Sequence, residues 1–153
     1  MMRTRFPLMI IAFIALTATA CRRDEVPPAD SAAAAPAPPP PAMVTTIETG
    51  KHVDVSKRIA DTATVFAPND TMYISVVTSN ATPTTTLKSI VTFQTGQVVD
   101  SASQVVALPT ETGGTSVTEF HWVKPGGWPT GDYTVEVWLD GQSAGTRTLT
   151  VKR

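Results

Sequence analysis

A paired pattern near the end of the chain constrains its fold more than any other feature. In the stretch GDYTVEVWLDGQSAGTRTLTV, residues 131–151, apolar residues occupy every second position before an Asp-Gly pair, and Leu149 and Val151 alternate with threonines after it. A period of two is typical of a strand with one solvated face, and Asp-Gly between two such runs is a strong hairpin signal. We therefore predict a β-hairpin that turns at Asp140 and Gly141 and closes the fold.

The rest of residues 43–153 has the same β character. Short stretches rich in Val, Thr, Ile and aromatic residues alternate with Gly, Pro, Asn and Asp at intervals of about ten residues, without a sustained helical period. We expect an all-β domain, an antiparallel β-sandwich of about seven to nine strands. The predicted strands are residues 44–47, a weaker 53–59, 71–78, 87–94, 97–100, 104–108, 116–123, 132–139 and 145–151.

The start of the hairpin resembles a motif of a known fold. Gly131-Asp132-Tyr133 is similar to the Gly-x-Tyr of the tyrosine corner, which precedes strand F of immunoglobulin-like domains. FAPNDTMYISVVT, residues 66–78, followed later by GGWPTGDYTVEVWLDG, resembles immunoglobulin-like or fibronectin-like modules of bacterial extracellular proteins. The resemblance covers most of residues 60–153 and implies an Ig-like β-sandwich, here without the two disulfide cysteines of antibody domains.

The first twenty residues, MMRTRFPLMIIAFIALTATA, have the pattern of an export signal. Arg3 and Arg5 precede an apolar segment that ends in small residues, which is the order of a signal peptide. The strongly apolar part, residues 6–16, is about half of the roughly 20 residues that a spanning helix needs. We expect residues 1–20 to be removed.

The only cysteine follows this segment directly. Ala18-Thr19-Ala20-Cys21 resembles the lipobox of bacterial lipoproteins, in which the cysteine receives a diacylglycerol. The resemblance implies a lipid on Cys21 that binds the protein to a membrane, and Arg22 after the cysteine, rather than Asp, implies the bacterial outer membrane. The alternative is an ordinary secretory signal that leaves a free cysteine, although a lone thiol cannot form an internal disulfide.

Residues 21–42 read as a lipidated cysteine followed by a linker rich in Pro and Ala. The segment contains no aromatic residue, so it cannot bury enough apolar surface to offset its ordering entropy. Proline-rich chains extend by about 3.1 Å per residue, and this linker would hold the domain of residues 43–153 roughly 60 Å from the membrane. Whether the domain faces the periplasm or the cell surface is left open.

The charges argue against a nucleic-acid partner. Without Arg3 and Arg5, ten of the twelve Lys and Arg remain against thirteen Asp and Glu, a net charge of −3. The remaining cations are scattered, whereas a phosphate-binding surface needs them clustered. We exclude nucleic acid as a partner.

Catalytic and metal-binding patterns are also missing from the sequence. The two histidines, His52 and His121, have no nucleophile motif such as Gly-x-Ser-x-Gly to serve. Asp132, Glu136 and Asp140 share one face of a predicted strand, but residues four apart on a strand are separated by about 13 Å, too far for one calcium ion. We expect no enzyme, no cofactor and no metal site.

The aromatic residues provide the candidate binding surface. Phe120 and Trp122 share one strand face and are predicted to lie in the core, as is usual in such sandwiches. Trp138 shares its face with polar residues and should point outward. Trp128 lies in the loop KPGGWPTG, where it either contacts a ligand or folds back over the end of its own sandwich. We therefore take Trp128 and Trp138 as candidate binding residues.

Two functions fit these features. The first is an envelope lipoprotein that presents a non-catalytic Ig-like domain to another protein, as an accessory subunit of an envelope assembly, by strand addition at a sheet edge or a flat contact around Trp138. The alternative is a module that binds peptidoglycan or surface polysaccharide through Trp128 and Trp138. The fold by itself favours neither function.

Overall fold

The computed structural model describes residues 37–108 and 114–153. The predicted signal peptide, Cys21 and most of the linker lie outside the described residues. Eight strands are present, and no helix occurs in the described ranges. The strands are β1 (Met43–Gly50), β2 (Val65–Phe66), β3 (Met72–Ser79), β4 (Thr86–Phe93), β5 (Val98–Val105), β6 (Ser116–Trp122), β7 (Gly131–Leu139) and β8 (Gln142–Val151).

The strands form two sheets that enclose one core. A three-stranded sheet has the order β1-β3-β6, and a five-stranded sheet has the order β2-β8-β7-β4-β5. All neighbours are antiparallel except β2, which pairs with β8 in parallel through two residues. The predicted all-β sandwich is confirmed, and its eight strands fall within the predicted range.

Three of the strand predictions were wrong in detail. Residues 53–59 form a turn with a single bridge between Val53 and Ile59, because the Asp54 carboxylate accepts the N–H groups of Ser56 and Arg58 and holds the chain in a tight bend. The two strands predicted at residues 97–100 and 104–108 are replaced by one continuous strand, β5, which ends at Val105, so residues 106–108 lie outside it. The two-residue strand β2 was not predicted, since so short a segment carries no period.

The core lies between the two sheets and contains the predicted aromatic pair. Phe120 and Trp122 are 1% and 3% exposed, and their rings stack with centroids 6.1 Å apart. Alternate residues of β3 lie beside them in the same sheet, and alternate residues of β4 and β7 face them from the other sheet, as the period of two requires. Among the most deeply buried of these are Met72, Ile74, Val76, Leu87, Val91, Val135 and Val137.

The predicted hairpin is confirmed. β7 and β8 pair up to Leu139 and Gln142, so only Asp140 and Gly141 form the turn. Both have positive φ, 47° and 82°, which is the type I′ geometry that favours Asp-Gly. The Asp140 carboxylate also accepts the Thr86 N–H at 2.8 Å, so the turn is joined to the start of β4.

The tyrosine corner is present at the start of β7. Tyr133 is 1% exposed, and its hydroxyl donates a hydrogen bond of 2.8 Å to the carbonyl oxygen of Pro129. Burial raises the pKa of Tyr133, because the phenolate would lose its hydration. The Phe93 ring packs against Tyr133 at 4.9 Å between centroids. This contact closes one end of the sandwich.

Candidate functional site

Trp128 belongs to the closed end of the sandwich. Its side chain is 3% exposed, its indole N–H donates to the Asp70 carbonyl oxygen at 3.1 Å, and its ring meets Tyr133 edge-on at 5.5 Å. The Lys124 ammonium lies 5.8 Å from the ring centroid. The structure thus gives Trp128 the covering role, and a buried ring cannot stack on a ligand.

Trp138 lies on the outer face of the five-stranded sheet, as expected. It is partly buried between Lys88 of β4 and Ser143 of β8, its neighbours in register. Its indole nitrogen is inaccessible to solvent and has no hydrogen-bond partner among residues 37–108 and 114–153. An unpaired buried donor costs about 1 to 3 kcal/mol.

A groove crosses this outer face from β7 to β5. Its volume is about 450 Å³. We call it the Trp138 groove, and it is lined by Thr86, Lys88, Ile90, Ser103, Trp138 and Gly141. Trp138 and Ile90 supply apolar surface, and Thr86 and Ser103 supply hydroxyls. In the described part of the chain, Lys88 forms no ion pair.

The groove ends at β5, which is the last strand of its sheet. Seven main-chain positions link β5 to β4, and no second strand of the described chain pairs with it. Val98 and Val105, at its two ends, are 58% and 62% exposed. An exposed edge strand of this length with apolar ends is a template for pairing with another chain.

The free main-chain groups of β5 follow from the hydrogen bonds at the start of β4. Thr86 exchanges hydrogen bonds with Asp140, on the β7 side. Main-chain groups alternate in direction along an antiparallel strand. The N–H and C=O of Leu87 therefore point toward β5, and those of its partner Gln104 point toward β4. Ser101, Ser103 and Val105 alternate with Gln104, so their N–H and C=O groups point away from the sheet. We call the main-chain groups of these three residues the open edge.

One group of the open edge already has a partner. The Asp100 carboxylate accepts the Ser101 N–H at 2.7 Å.

The other edges of the sandwich are shorter or carry side-chain hydrogen bonds. Arg147 donates to the Ile47 carbonyl oxygen of β1 at 2.9 Å, Gln104 donates to the carbonyl oxygen of Glu119 in β6 at 2.9 Å, and β2 has two residues.

Charged groups elsewhere form separate pairs. His121 and Glu119 are 2.7 Å apart on the exposed face of the three-stranded sheet, and His52 lies 3.2 Å from Asp61. Asp132, Glu136 and Asp140 each accept a different hydrogen bond, from Thr150, Ser143 and Thr86.

Within the described ranges, no three His, Cys, Asp or Glu side chains converge as metal ligands. No helix in those ranges is long and apolar enough to span a membrane.

Sequence reasoning found Trp138 but missed the open edge beside it. The stretch VVDSASQV has three small residues in its middle, which interrupted the pattern and divided one strand into two predicted ones. Its position at the edge depends on the order of strands in the sheet, which no local pattern contains. The candidate lipidation site, Cys21, lies outside the described residues.

The domain has known relatives by sequence profile. A profile of a domain of unknown function, DUF8428, matches residues 44–152. No curated protein matches the chain.

Solved structures resemble the domain in fold. An immunoglobulin-like protein from Pseudomonas aeruginosa is 15% identical, with 74% of this chain and 98% of that chain covered and a TM-score of 0.52. The C-terminal domain of wzt is 10% identical, with 73% and 74% covered and a TM-score of 0.51. These likenesses confirm the Ig-like fold.

A further structural match is to part of a larger protein. The alkylpurine DNA glycosylase AlkC of Pseudomonas fluorescens, in a complex with DNA that contains an abasic-site analog, is 11% identical. The match covers 73% of this chain and has a TM-score of 0.46. The chain spans 30% of the length of that glycosylase.

Proposed function

The chain belongs to the DUF8428 family, a domain of unknown function, and from that premise we propose that it is an envelope lipoprotein whose Ig-like domain binds a partner protein at the open edge of β5. The domain acts by binding and not by catalysis. The partner contributes an extended segment that becomes the next strand of the five-stranded sheet. Main-chain hydrogen bonds then supply affinity, and side-chain sites on the sheet supply specificity.

The observation that carries this proposal is the exposure of β5. Ser101, Ser103 and Val105 direct main-chain groups outward, and the Asp100 carboxylate occupies one of them. Natural proteins protect such edges because they pair readily with other chains. Here the valines at both ends of the strand are more than half exposed, so the edge retains the features of a pairing site.

The anchor and the linker define where the domain meets its partner. The lipid on Cys21 holds the protein at the outer membrane, and the Pro and Ala-rich linker spaces the domain from it. Tethering raises the local concentration of the domain near other envelope proteins. The negative charge of the mature chain and its scattered cations support a protein partner and not nucleic acid.

Site-specific crosslinking in intact cells tests this proposal. A photoreactive amino acid replaces Val105 at the open edge, and the matched control replaces Val55, an exposed valine in a turn. We expect a defined protein adduct from Val105 and none from Val55. Its yield should fall when Cys21→Ala removes the anchor. Equal adducts from both positions would contradict the proposal.

Glycan binding is the other outcome that the same chain permits. Of the two candidate tryptophans, Trp128 is buried, so a sugar that stacks on the other would lie in the Trp138 groove. Titration with soluble peptidoglycan fragments distinguishes the two functions, because a saturable change in tryptophan fluorescence that Trp138→Ser abolishes would favour a glycan. We expect no such change.

A further inference from the structure

We infer that the partner segment carries a large apolar side chain that enters the Trp138 groove and a carboxylate that pairs with Lys88. This inference rests on the proposed strand addition to β5 and specifies the chemistry of the added strand. It follows from the register of the sheet and from the charges on its outer face.

The register aligns the groove with the open edge. Ser103, Lys88 and Trp138 lie side by side on β5, β4 and β7. Neighbouring strands are about 4.8 Å apart, so the residue of an added strand opposite Ser103 extends the same row. Because the Ser103 side chain is short, a larger side chain on the added strand can pass over it into the groove.

The groove favours an apolar side chain at that position. Trp138 and Ile90 are both only partly buried on this face. Val105 extends the apolar surface along the edge strand and is 62% exposed. Aromatic and aliphatic side chains gain the most from covering such surface, and a pocket beside an edge strand selects alternate residues of the strand that adds to it.

Lys88 supplies the charge preference. It is exposed in the middle of the row and forms no ion pair within residues 37–108 and 114–153. Glu136, on the neighbouring strand, already accepts a hydrogen bond from Ser143 at 2.8 Å. A carboxylate on the partner could therefore pair with the Lys88 ammonium, which forms no ion pair with Glu136 or with any other carboxylate of the described ranges, and charge complementarity of this kind governs specificity.

A second copy of the chain fits the groove poorly. If two β5 strands paired antiparallel, the residue opposite Ser103 would have to be one whose main-chain groups also point outward. On β5 these are two serines and two valines: Val98, Ser101, Ser103 and Val105. None of them is a large apolar residue or carries a carboxylate, so a second β5 strand would supply neither group.

Peptide selection on the full-length chain tests the inference. A phage library of random octapeptides is selected on the wild-type protein, and enriched peptides are measured against four variants. Ser103→Pro removes one outward N–H, Trp138→Ser removes the apolar surface of the groove, and Lys88→Glu reverses its charge. Lys152→Glu is the matched control, because this lysine is exposed on the chain after β8.

We expect peptides with an aromatic or large aliphatic residue near an Asp or Glu. Trp138→Ser should weaken them by about tenfold or more, Lys88→Glu should weaken those that carry the acid, and Lys152→Glu should change neither effect. Two outcomes would overturn this inference and leave strand addition standing. In the first, the peptides lose binding to Ser103→Pro but have no such composition. In the second, they lose binding to Ser103→Pro but bind Trp138→Ser and Lys88→Glu as well as they bind wild type. No enrichment, binding that is insensitive to Ser103→Pro, or a chain that occupies its own edge as a dimer would overturn both.

Discussion

The Tyr133 hydroxyl donates a hydrogen bond of 2.8 Å to the carbonyl oxygen of Pro129, four residues earlier in the chain. The bond fixes the loop that carries Trp128, whose ring packs edge-on against Tyr133. Since Trp128 also donates to the Asp70 carbonyl oxygen, 58 residues away, one cluster joins the start of β7 to the loop before β3. The aromatic residues at this end therefore stabilise the fold, and of the two candidate tryptophans Trp138 is the one that lies on an outer face.

Removing the Tyr133 hydroxyl tests this role. Tyr133→Phe leaves the Pro129 carbonyl oxygen without its partner, so we expect the free energy of unfolding to fall by about 1 to 3 kcal/mol in urea titrations. Tyr73→Phe, on the half-exposed outer face of β3, is the control and should cost less than about 0.5 kcal/mol. Equal losses for the two variants would contradict the role of the tyrosine corner.

The two candidate tryptophans should differ in what they stabilise. Trp128→Ala removes a ring that is 3% exposed, and we expect a loss of about 3 to 5 kcal/mol in unfolding free energy. Trp138→Ala should cost clearly less, because its ring packs on the sheet surface and not in the core. Thermal unfolding followed by circular dichroism measures both. A larger loss for Trp138→Ala than for Trp128→Ala would contradict the assignment of Trp128 to the core and of Trp138 to the sheet surface.

Asp70 should make stability depend on acid pH. The ion pair with Lys51, at 2.7 Å, and the hydrogen bond from the Ala67 N–H lower the pKa of Asp70. A lowered pKa in the folded state contributes stability above the unfolded value, about 3.9, and this contribution is lost as the pH falls through the folded value. As the pH is lowered from about 5 to about 2, we expect the unfolding free energy of Asp70→Asn to fall less than that of wild type. Parallel pH curves for the two proteins would exclude this contribution.

Asp100 should limit pairing at the open edge. Its carboxylate accepts the Ser101 N–H at 2.7 Å and places a charge on the strand. Asp100→Ala frees that N–H, so we expect more self-association in concentration-dependent light scattering, with unfolding free energy within about 0.5 kcal/mol of wild type. Asp100→Asn keeps an acceptor oxygen and removes the charge, so it separates the two effects. If Asp100→Ala stays as monomeric as wild type, the carboxylate does not protect the edge.

Local patterns predicted the parts of the fold that depend on neighbours in sequence. The hairpin at Asp140 and Gly141 and the core position of Phe120 followed from a period of two and from turn chemistry. The burial of Trp128 could be weighed but not decided, because it depends on Asp70, which is distant in sequence. The turn at residues 53–59 has the apolar residues of a strand, and these residues do not reveal that the Asp54 carboxylate bends the chain.

The candidate site was only partly predictable for a related reason. The alternation along β7 placed Trp138 on the solvated face, so the floor of the groove could be found from sequence. The open edge could not, because the outward direction of Ser103 depends on which strands flank β4. Strand order arises from long-range packing, whereas the sequence pattern of β5 contains only small residues between two valines.

The most direct test of strand addition is a comparison of Ser103→Pro with Ser103→Ala in the Val105 crosslinking experiment. The Ser103 N–H points away from β4, so proline removes no hydrogen bond of the sheet, while alanine keeps the N–H and removes only the hydroxyl. With both variants equally folded by circular dichroism, we predict that Ser103→Ala retains the wild-type adduct and that Ser103→Pro lowers its yield by about tenfold. An undiminished adduct with Ser103→Pro would contradict strand addition at β5.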